Sequence, residues 1–99
     1  MLYLVIGTDV DDSNERRAKA RPAHLARLED LKQAGRLALA GPMPAIDSPA
    51  PGPAGMSGSL IVAEFESLDA AREWAANDPY CDAGVYANVD VKPFVQVLP

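Results

Sequence analysis

The chain contains a single histidine, and the spacing of its neighbours predicts where that side chain lies. At about 100° per residue, one helix through this region places Arg17, Arg21 and His24 on a narrow stripe. The stripe continues through Leu28 and Leu31, which are expected to pack against a sheet. His24 is therefore expected where the packed core opens into a cleft that is basic on one side. A neutral imidazole in that position is a general base at neutral pH.

Pro22 lies two residues before His24 and interrupts the predicted helix. It either kinks that helix or begins a second helix at its first position. A helix start near His24 would disfavour the protonated ring and favour the neutral, base-competent form. The alternative role for His24 is that of a partly buried histidine completing the edge of the core.

Two arginines precede the histidine and have two possible roles. Arg17 and Arg21 could hold an anionic group of a substrate through charge-assisted hydrogen bonds. They could equally pair at the surface with Asp11, Asp12 or Glu15.

Asp78 is the candidate carboxylate for a histidine partner, although its local sequence favours a simpler role. An aspartate at an N-cap followed by proline, here Pro79, is a common way to begin a helix. Cys81 has no basic neighbour in sequence and is expected to be a small packing residue. One histidine and one distant cysteine make a poor metal site, and no glycine-rich segment continues into a phosphate-binding Lys-Ser or Lys-Thr pair. We therefore predict no metal and no cofactor.

Composition narrows the class of protein. The 99 residues carry a net charge of −5, with a pI near 4.6, which argues against nucleic acid and against anionic membranes. A single cysteine excludes an internal disulfide and fits a reducing compartment, so a cytoplasmic location is expected. The apolar run from Met1 to Ile6 is six residues long and is interpreted as a strand and not as a signal peptide. No segment has transmembrane length.

The elements follow the order β-α-β-β-α-β, which is the ferredoxin-like α+β arrangement of one four-stranded antiparallel sheet. Helices are predicted from Ser13 to about Ala34 and from Ser67 to Asp78, with Asp78 to Gly84 as one further helical turn. Residues 41–58 hold five prolines and four glycines and are predicted to be a long loop. The predicted strands span residues 2–8, 37–40, 59–65 and 85–97, and Val85, Ala87, Val89, Val91, Val95 and Val97 share one face of the last.

The first and third strands are apolar on both faces, and they are the central strands of this topology. Two helices cover one face of the sheet, so the other face needs a different cover. A second copy of the chain is the simplest cover and predicts a homodimer. The alternative is a monomer whose open face is partly apolar.

Six segments together resemble the YciI-like (YCII-related) family across essentially the whole chain, as a single domain over residues 1–99. The resemblance implies a dimeric α+β barrel in which two sheets face each other. It also implies a site built on a His–Asp pair, which maps onto His24 and Asp78. Some relatives are dehydrochlorinases of chlorinated aromatic hydroxy compounds. The segments are Lys19–Leu25, Gly35–Leu37 with Gly41–Pro42, Ala63–Ser67, Asp78–Tyr80, Ala83–Tyr86 and Lys92–Phe94.

Two functions of different classes follow. In the first, the protein is a lyase- or hydrolase-like enzyme in which His24 moves a proton and Asp78 orients the imidazole. Arg21 and Ser59 would bind the substrate, and the 41–58 loop would close over it. In the second, the protein is a non-catalytic dimeric module that binds a small ligand in the same cleft. Cofactor-independent oxygen chemistry is a third option, and no residue pattern favours it.

Overall fold

The computed structural model describes residues 1–99, and its four strands form one antiparallel sheet in the order β2-β3-β1-β4. This order confirms the predicted ferredoxin-like α+β fold. No helix combines the length and the apolar character needed to cross a membrane. The elements are β1 (Leu2–Asp9), α1 (Asn14–Gln33), β2 (Leu37–Pro44), a 3₁₀ turn (Gly52–Ala54), β3 (Met56–Glu64), α2 (Leu68–Ala76), α3 (Pro79–Asp82) and β4 (Tyr86–Phe94).

The core lies between one face of the sheet and the helices. Alternate residues of β1 are buried, and Val5 pairs across the sheet with Ile61 of β3. Leu31 of α1 and Ala71 of α2 cover this face from above. Burying a valine or isoleucine side chain contributes about 1.5–3 kcal/mol, so these contacts fix the position of α1 on the sheet.

The opposite face of the central strands is also apolar, as predicted. Leu4 pairs with Val62 and Ile6 pairs with Leu60. Three of these side chains are half-buried, and Val62 is buried. Leu39 of β2 extends this surface and is 54% exposed.

The predicted loop 41–58 is wrong in its bounds, because both flanking strands are longer than expected. β2 continues through Gly41 and Pro42 to Pro44, and β3 already begins at Met56. A proline usually ends an interior strand, because it lacks the N–H that would donate to a neighbouring strand. An edge strand has only one neighbouring strand, so it tolerates a proline whose nitrogen faces away from that neighbour. β2 is such an edge strand. The connection is therefore limited to residues 45–55.

The predicted alternation of the last strand is also wrong at both ends. β4 ends at Phe94, and Val95 and Val97 lie beyond it, exposed. At its start the register shifts, because Thr8 pairs with Asn88 whereas Asp9 pairs with Tyr86. The extra residue is a β-bulge, which turns the Tyr86 side chain to the helix side of the sheet.

Helix α1 is one helix with Pro22 inside it, so the interpretation of a second helix beginning there is wrong. Ala18, whose carbonyl loses its N–H partner, is exposed, and water can take the partner's place. His24 consequently lies in the middle of the helix, away from the dipole of its N-terminus. Ser13 stands at the N-cap but makes no side-chain cap. Its hydroxyl donates to Asp9 instead, at 2.6 Å.

Candidate active site

The predicted stripe on α1 lines a cavity of about 200 Å³ between the helix and the sheet. Arg17 and His24 are buried on the stripe, and Arg21 is exposed at its edge. The apolar part of the lining includes Leu28 and Ile61. The expected cleft at His24 is therefore present in the fold.

His24 pairs with Asp78 inside this region. The ring Nδ1 lies 2.8 Å from Oδ1 and 3.0 Å from Oδ2 of the carboxylate, and both side chains are buried. A carboxylate accepts only, so Nδ1 carries the proton and donates it. The other ring nitrogen, Nε2, has no hydrogen-bond partner within the chain and is not enclosed by protein. In the neutral ring the lone pair of Nε2 is therefore free for a ligand in the cavity.

Asp78 has both of the roles that the sequence left open. Oδ1 accepts the backbone N–H of Tyr80 at 2.9 Å, and Pro79 follows at the first helical position, so Asp78 caps α3. The same carboxylate holds His24. The cap fixes the carboxylate, and the carboxylate in turn fixes the orientation of the imidazole.

Tyr80 also contacts the imidazole of His24, by packing against the face of the ring. The Tyr80 and His24 rings are stacked, with centroids 3.9 Å apart and planes 12° from parallel. The short helix α3 thus holds His24 at one edge through Asp78 and at one face through Tyr80. Burial raises the pKa of Tyr80, and the nearby Arg17 offsets only part of this rise. The phenol is therefore neutral at physiological pH.

Arg17 is fixed by Asp9, which the sequence analysis did not select. Its Nε and Nη2 donate to the two oxygens of Asp9 at 2.6 and 2.8 Å, and Nη2 also donates to the Ser59 hydroxyl at 2.9 Å. The predicted surface pairing with Asp11, Asp12 or Glu15 is therefore wrong for Arg17. Asp9 lies at the end of β1, and its side chain contacts Arg17 near the N-terminus of α1.

The guanidinium of Arg17 stays charged despite its burial. Burial alone lowers the pKa of Arg17, but the hydrogen bond and the charge of Asp9 outweigh it, and the net pKa is raised. The remaining nitrogen, Nη1, makes no hydrogen bond within the chain and is not enclosed. Arg17 therefore presents one unpaired, charged donor group at the cavity.

Tyr86 lies behind this network because of the β-bulge. Its ring packs over Gly7, where an added Cβ would lie 2.4 Å from the ring. It meets Tyr80 edge-on, with centroids 5.7 Å apart and an interplanar angle of 89°. Burial raises the pKa of Tyr86 well above its ordinary value. A glycine inside an apolar strand is the sequence signal that could have indicated this close approach.

The other predicted site residues occupy different surroundings. Ser59 is buried on β3 and accepts from Arg17, whereas Arg21 is exposed and pairs with no carboxylate. Residues 45–55 do not line this cavity, and Asn14 at the start of α1 donates to the Gly52 carbonyl at 3.4 Å. Cys81 is half-buried, and burial raises the pKa of its thiol.

Three comparisons place the chain among known proteins. The family model described as YCII-related domain matches residues 1–95. The YciI proteins of Escherichia coli and Shigella flexneri are each 59% identical over 98 residues, which covers 99% of this chain and 100% of theirs. An uncharacterized protein of Haemophilus influenzae is 50% identical over the same length.

Solved structures are also similar to this chain, and one of them is similar in both fold and sequence. It is 5-chloro-2-hydroxyhydroquinone dehydrochlorinase (TftG) from Burkholderia phenoliruptrix, in complex with 2,5-dihydroxybenzoquinone. The TM-score is 0.84 at 31% identity, over 97% of this chain and 95% of that one.

Proposed function

Because the chain belongs to the YCII-related domain family, we propose that it is a lyase- or hydrolase-like enzyme of a small molecule, with His24 and Asp78 as an acid–base dyad. The observation that carries this proposal is the 2.8 Å contact between His24 Nδ1 and Asp78, which leaves Nε2 open to the cavity. The similarity to TftG, itself a dehydrochlorinase, supports the same reaction class.

The geometry supports a general-base step. The Nε2 lone pair accepts a proton from a substrate carbon or hydroxyl that lies in the cavity. In an elimination, the electron pair of the broken bond forms a new π bond, and the leaving group departs with its own bonding pair. The charge of Asp78 then stabilises the imidazolium, which returns the proton to solvent or to product. Tyr80 acts as a positioning residue, since its ring is stacked on the imidazole and restricts the orientation of that ring.

The remaining polar side chains are proposed to bind the substrate. Arg21 lies exposed at the rim of the cavity, and Ser59 lies at its base under Arg17. Arg17 fixes the Ser59 hydroxyl oxygen, so this part of the cavity is ordered before a ligand enters. Preorganised polar groups of this kind cost little reorganisation in the transition state.

A homodimer is part of the proposal. The apolar open face formed by Leu4, Ile6, Leu60 and Val62 suits a second copy, which would bury it across a two-fold axis. Sedimentation is expected at twice the 10.5 kDa chain mass. Leu4→Glu is expected to give monomers, whereas Leu25→Glu on α1 leaves the dimer intact. A wild-type monomer at high micromolar concentration would contradict the dimer.

The single cysteine fits the cytoplasm, which is the proposed location.

Turnover is the test of the enzyme proposal. The purified protein is screened against chlorinated hydroxyaromatic compounds and lactones, with chloride release or ring opening as the readout. His24→Asn is expected to lower the rate by about 10²–10⁴-fold, the usual contribution of a general base. Glu15→Gln, on an exposed part of α1, serves as the control. Turnover that His24→Asn leaves unchanged overturns the proposal, and binding without any turnover identifies a non-catalytic module.

A further inference from the structure

The cavity at His24 differs in charge from the rest of the molecule. The chain carries 14 acidic and 9 basic residues, yet the cavity is lined by Arg17, Arg21 and His24 and by no aspartate or glutamate. Two carboxylates lie close behind the lining. The oxygens of Asp9 accept from Arg17 and Ser13, and those of Asp78 accept from His24 and from the backbone of Tyr80.

The groups that remain free are therefore donors and one base. Arg17 Nη1 is unpaired and not enclosed, and the Arg21 guanidinium has no carboxylate partner. The free nitrogen of His24 is the base. An acceptor with negative charge satisfies two guanidinium groups better than a neutral acceptor does, because charge-assisted hydrogen bonds are about twice as strong.

We propose that this cavity selects a small organic oxyanion, a carboxylate or a phenolate, whose charged oxygens accept from Arg17 Nη1 and Arg21. The apolar body of the ligand lies against Leu28 and Ile61, and its reacting position faces His24. This inference rests on the proposed function for the role of His24 and on the cavity alone for the class of ligand.

The volume of the cavity limits the size of this ligand. About 200 Å³ is below the ~300–1,000 Å³ typical of pockets for drug-sized molecules. A single ring with one anionic group matches this volume, whereas a nucleotide or a peptide exceeds it. Because Asp9 and Ser59 already hold Arg17, the guanidinium loses little further freedom when the ligand binds.

Benzoate and benzamide provide a matched pair of probes, since they share shape and differ in charge. Binding is followed by NMR through the His24 Cε1–H and Ser59 amide resonances. Benzoate is expected to bind at these resonances about tenfold more tightly than benzamide. Equal affinities, or tighter binding of benzamide, would overturn the assignment of an oxyanion.

Two single-charge variants of α1 locate the interaction. Arg21→Gln is expected to weaken benzoate binding about threefold at low salt and to leave benzamide unchanged. Lys19→Gln removes the same charge from an exposed residue of the same helix that does not line the cavity. Its benzoate affinity is expected to stay within about 1.5-fold of wild type, because exposed charges beyond direct contact are screened. Equal losses in both variants would show a diffuse charge effect and contradict the proposal.

His24→Asn separates this inference from the proposed function. If His24→Asn still binds benzoate and the wild-type protein turns over no substrate, the oxyanion site is supported and the proposed enzymatic activity is refuted. If the wild-type protein turns over neutral compounds in a His24-dependent way but does not bind benzoate, the enzymatic activity is supported and the oxyanion site is refuted.

Discussion

Two of the protein's cavities border α1, and the larger of the two has the weaker case for function. The larger, of about 810 Å³, lies at the N-terminus of α1 and is bordered by Asp9, Asp11, Asp12 and Glu15. The last three carboxylates are exposed and make no ion pairs, whereas Asp9 pairs with Arg17. The smaller, of about 200 Å³, lies at His24, and its polar residues Arg17, Ser59 and His24 are buried and held by short hydrogen bonds.

The difference shows that enclosure and mutual pairing, and not volume, identify a site. Exposed charges are hydrated, and their pairwise interactions contribute about 0–1 kcal/mol. Buried polar groups cost free energy unless they are satisfied, so a fold that keeps several of them must position each one. At the small cavity Nε2 of His24 and Nη1 of Arg17 make no hydrogen bond within the chain, although the other polar side-chain atoms of both residues are paired. Those two atoms and the exposed Arg21 guanidinium are available to a ligand.

The largest expected effect is on the free energy of unfolding. It distinguishes Asp78, a carboxylate behind the small cavity, from Asp11, a carboxylate at the large cavity. Asp78→Ala leaves His24 Nδ1 and the Tyr80 backbone N–H without partners, and we expect a loss of about 3 kcal/mol in the free energy of unfolding. Asp11→Asn is expected to change it by less than about 0.5 kcal/mol. Urea denaturation measures both. Similar losses in the two variants would contradict the contrast between the cavities.

A glycine substitution tests the support behind the small cavity. Gly7→Ala places a methyl group 2.4 Å from the Tyr86 ring, which must move, and we expect a loss of about 2 kcal/mol in stability. Gly41→Ala meets no atom within 4 Å and is the matched control. A Gly7→Ala protein as stable as Gly41→Ala, by thermal denaturation, would show that Tyr86 is not held over this strand.

Much of this arrangement was predictable from the sequence, and the reasons for the failures are physical. The α1 stripe was found because helical periodicity relates residues that are close in sequence. The contacts of Asp9 and Tyr86 were missed because they depend on the sheet. Asp9 reaches Arg17 only after β1 and α1 are packed, and Tyr86 faces the helices only because of a bulge. Asp78 was placed at the site by family resemblance, since residue patterns favoured its capping role alone.

The two tyrosines beside the small cavity make stability sensitive to alkaline pH. Burial raises the pKa of Tyr80 and Tyr86 above the ordinary value of 10. The unfolded chain therefore releases these protons first. The stability that the raised pKa of each tyrosine contributes is complete below pH 10, and it is lost as the pH rises toward the pKa of the folded state. The fall is at most about 1.4 kcal/mol per pH unit for each tyrosine. Tyr86→Phe is expected to reduce the loss of stability with pH. Urea midpoints from pH 9 to 11 measure this loss, and a slope equal to that of the wild type would show that Tyr86 does not cause it.

A small effect is also expected from a polar side chain at the large cavity. Asn14→Ala removes two long, exposed hydrogen bonds, to the carbonyls of Gly52 and Pro53, and should cost less than about 1 kcal/mol. Amide hydrogen exchange should accelerate in residues 45–55 and nowhere around His24. A change at the His24 resonances in this variant would show that the two cavities are coupled.

The tautomer of His24 tests the central claim most directly. In the neutral ring, ¹⁵N NMR is expected to find the proton on Nδ1, facing Asp78, and to find Nε2 unprotonated. Asp78→Asn should disturb this preference, because an amide can also donate, while Asp11→Asn should not. A proton on Nε2 in the wild-type protein would contradict the assignment of His24 as a base oriented by Asp78.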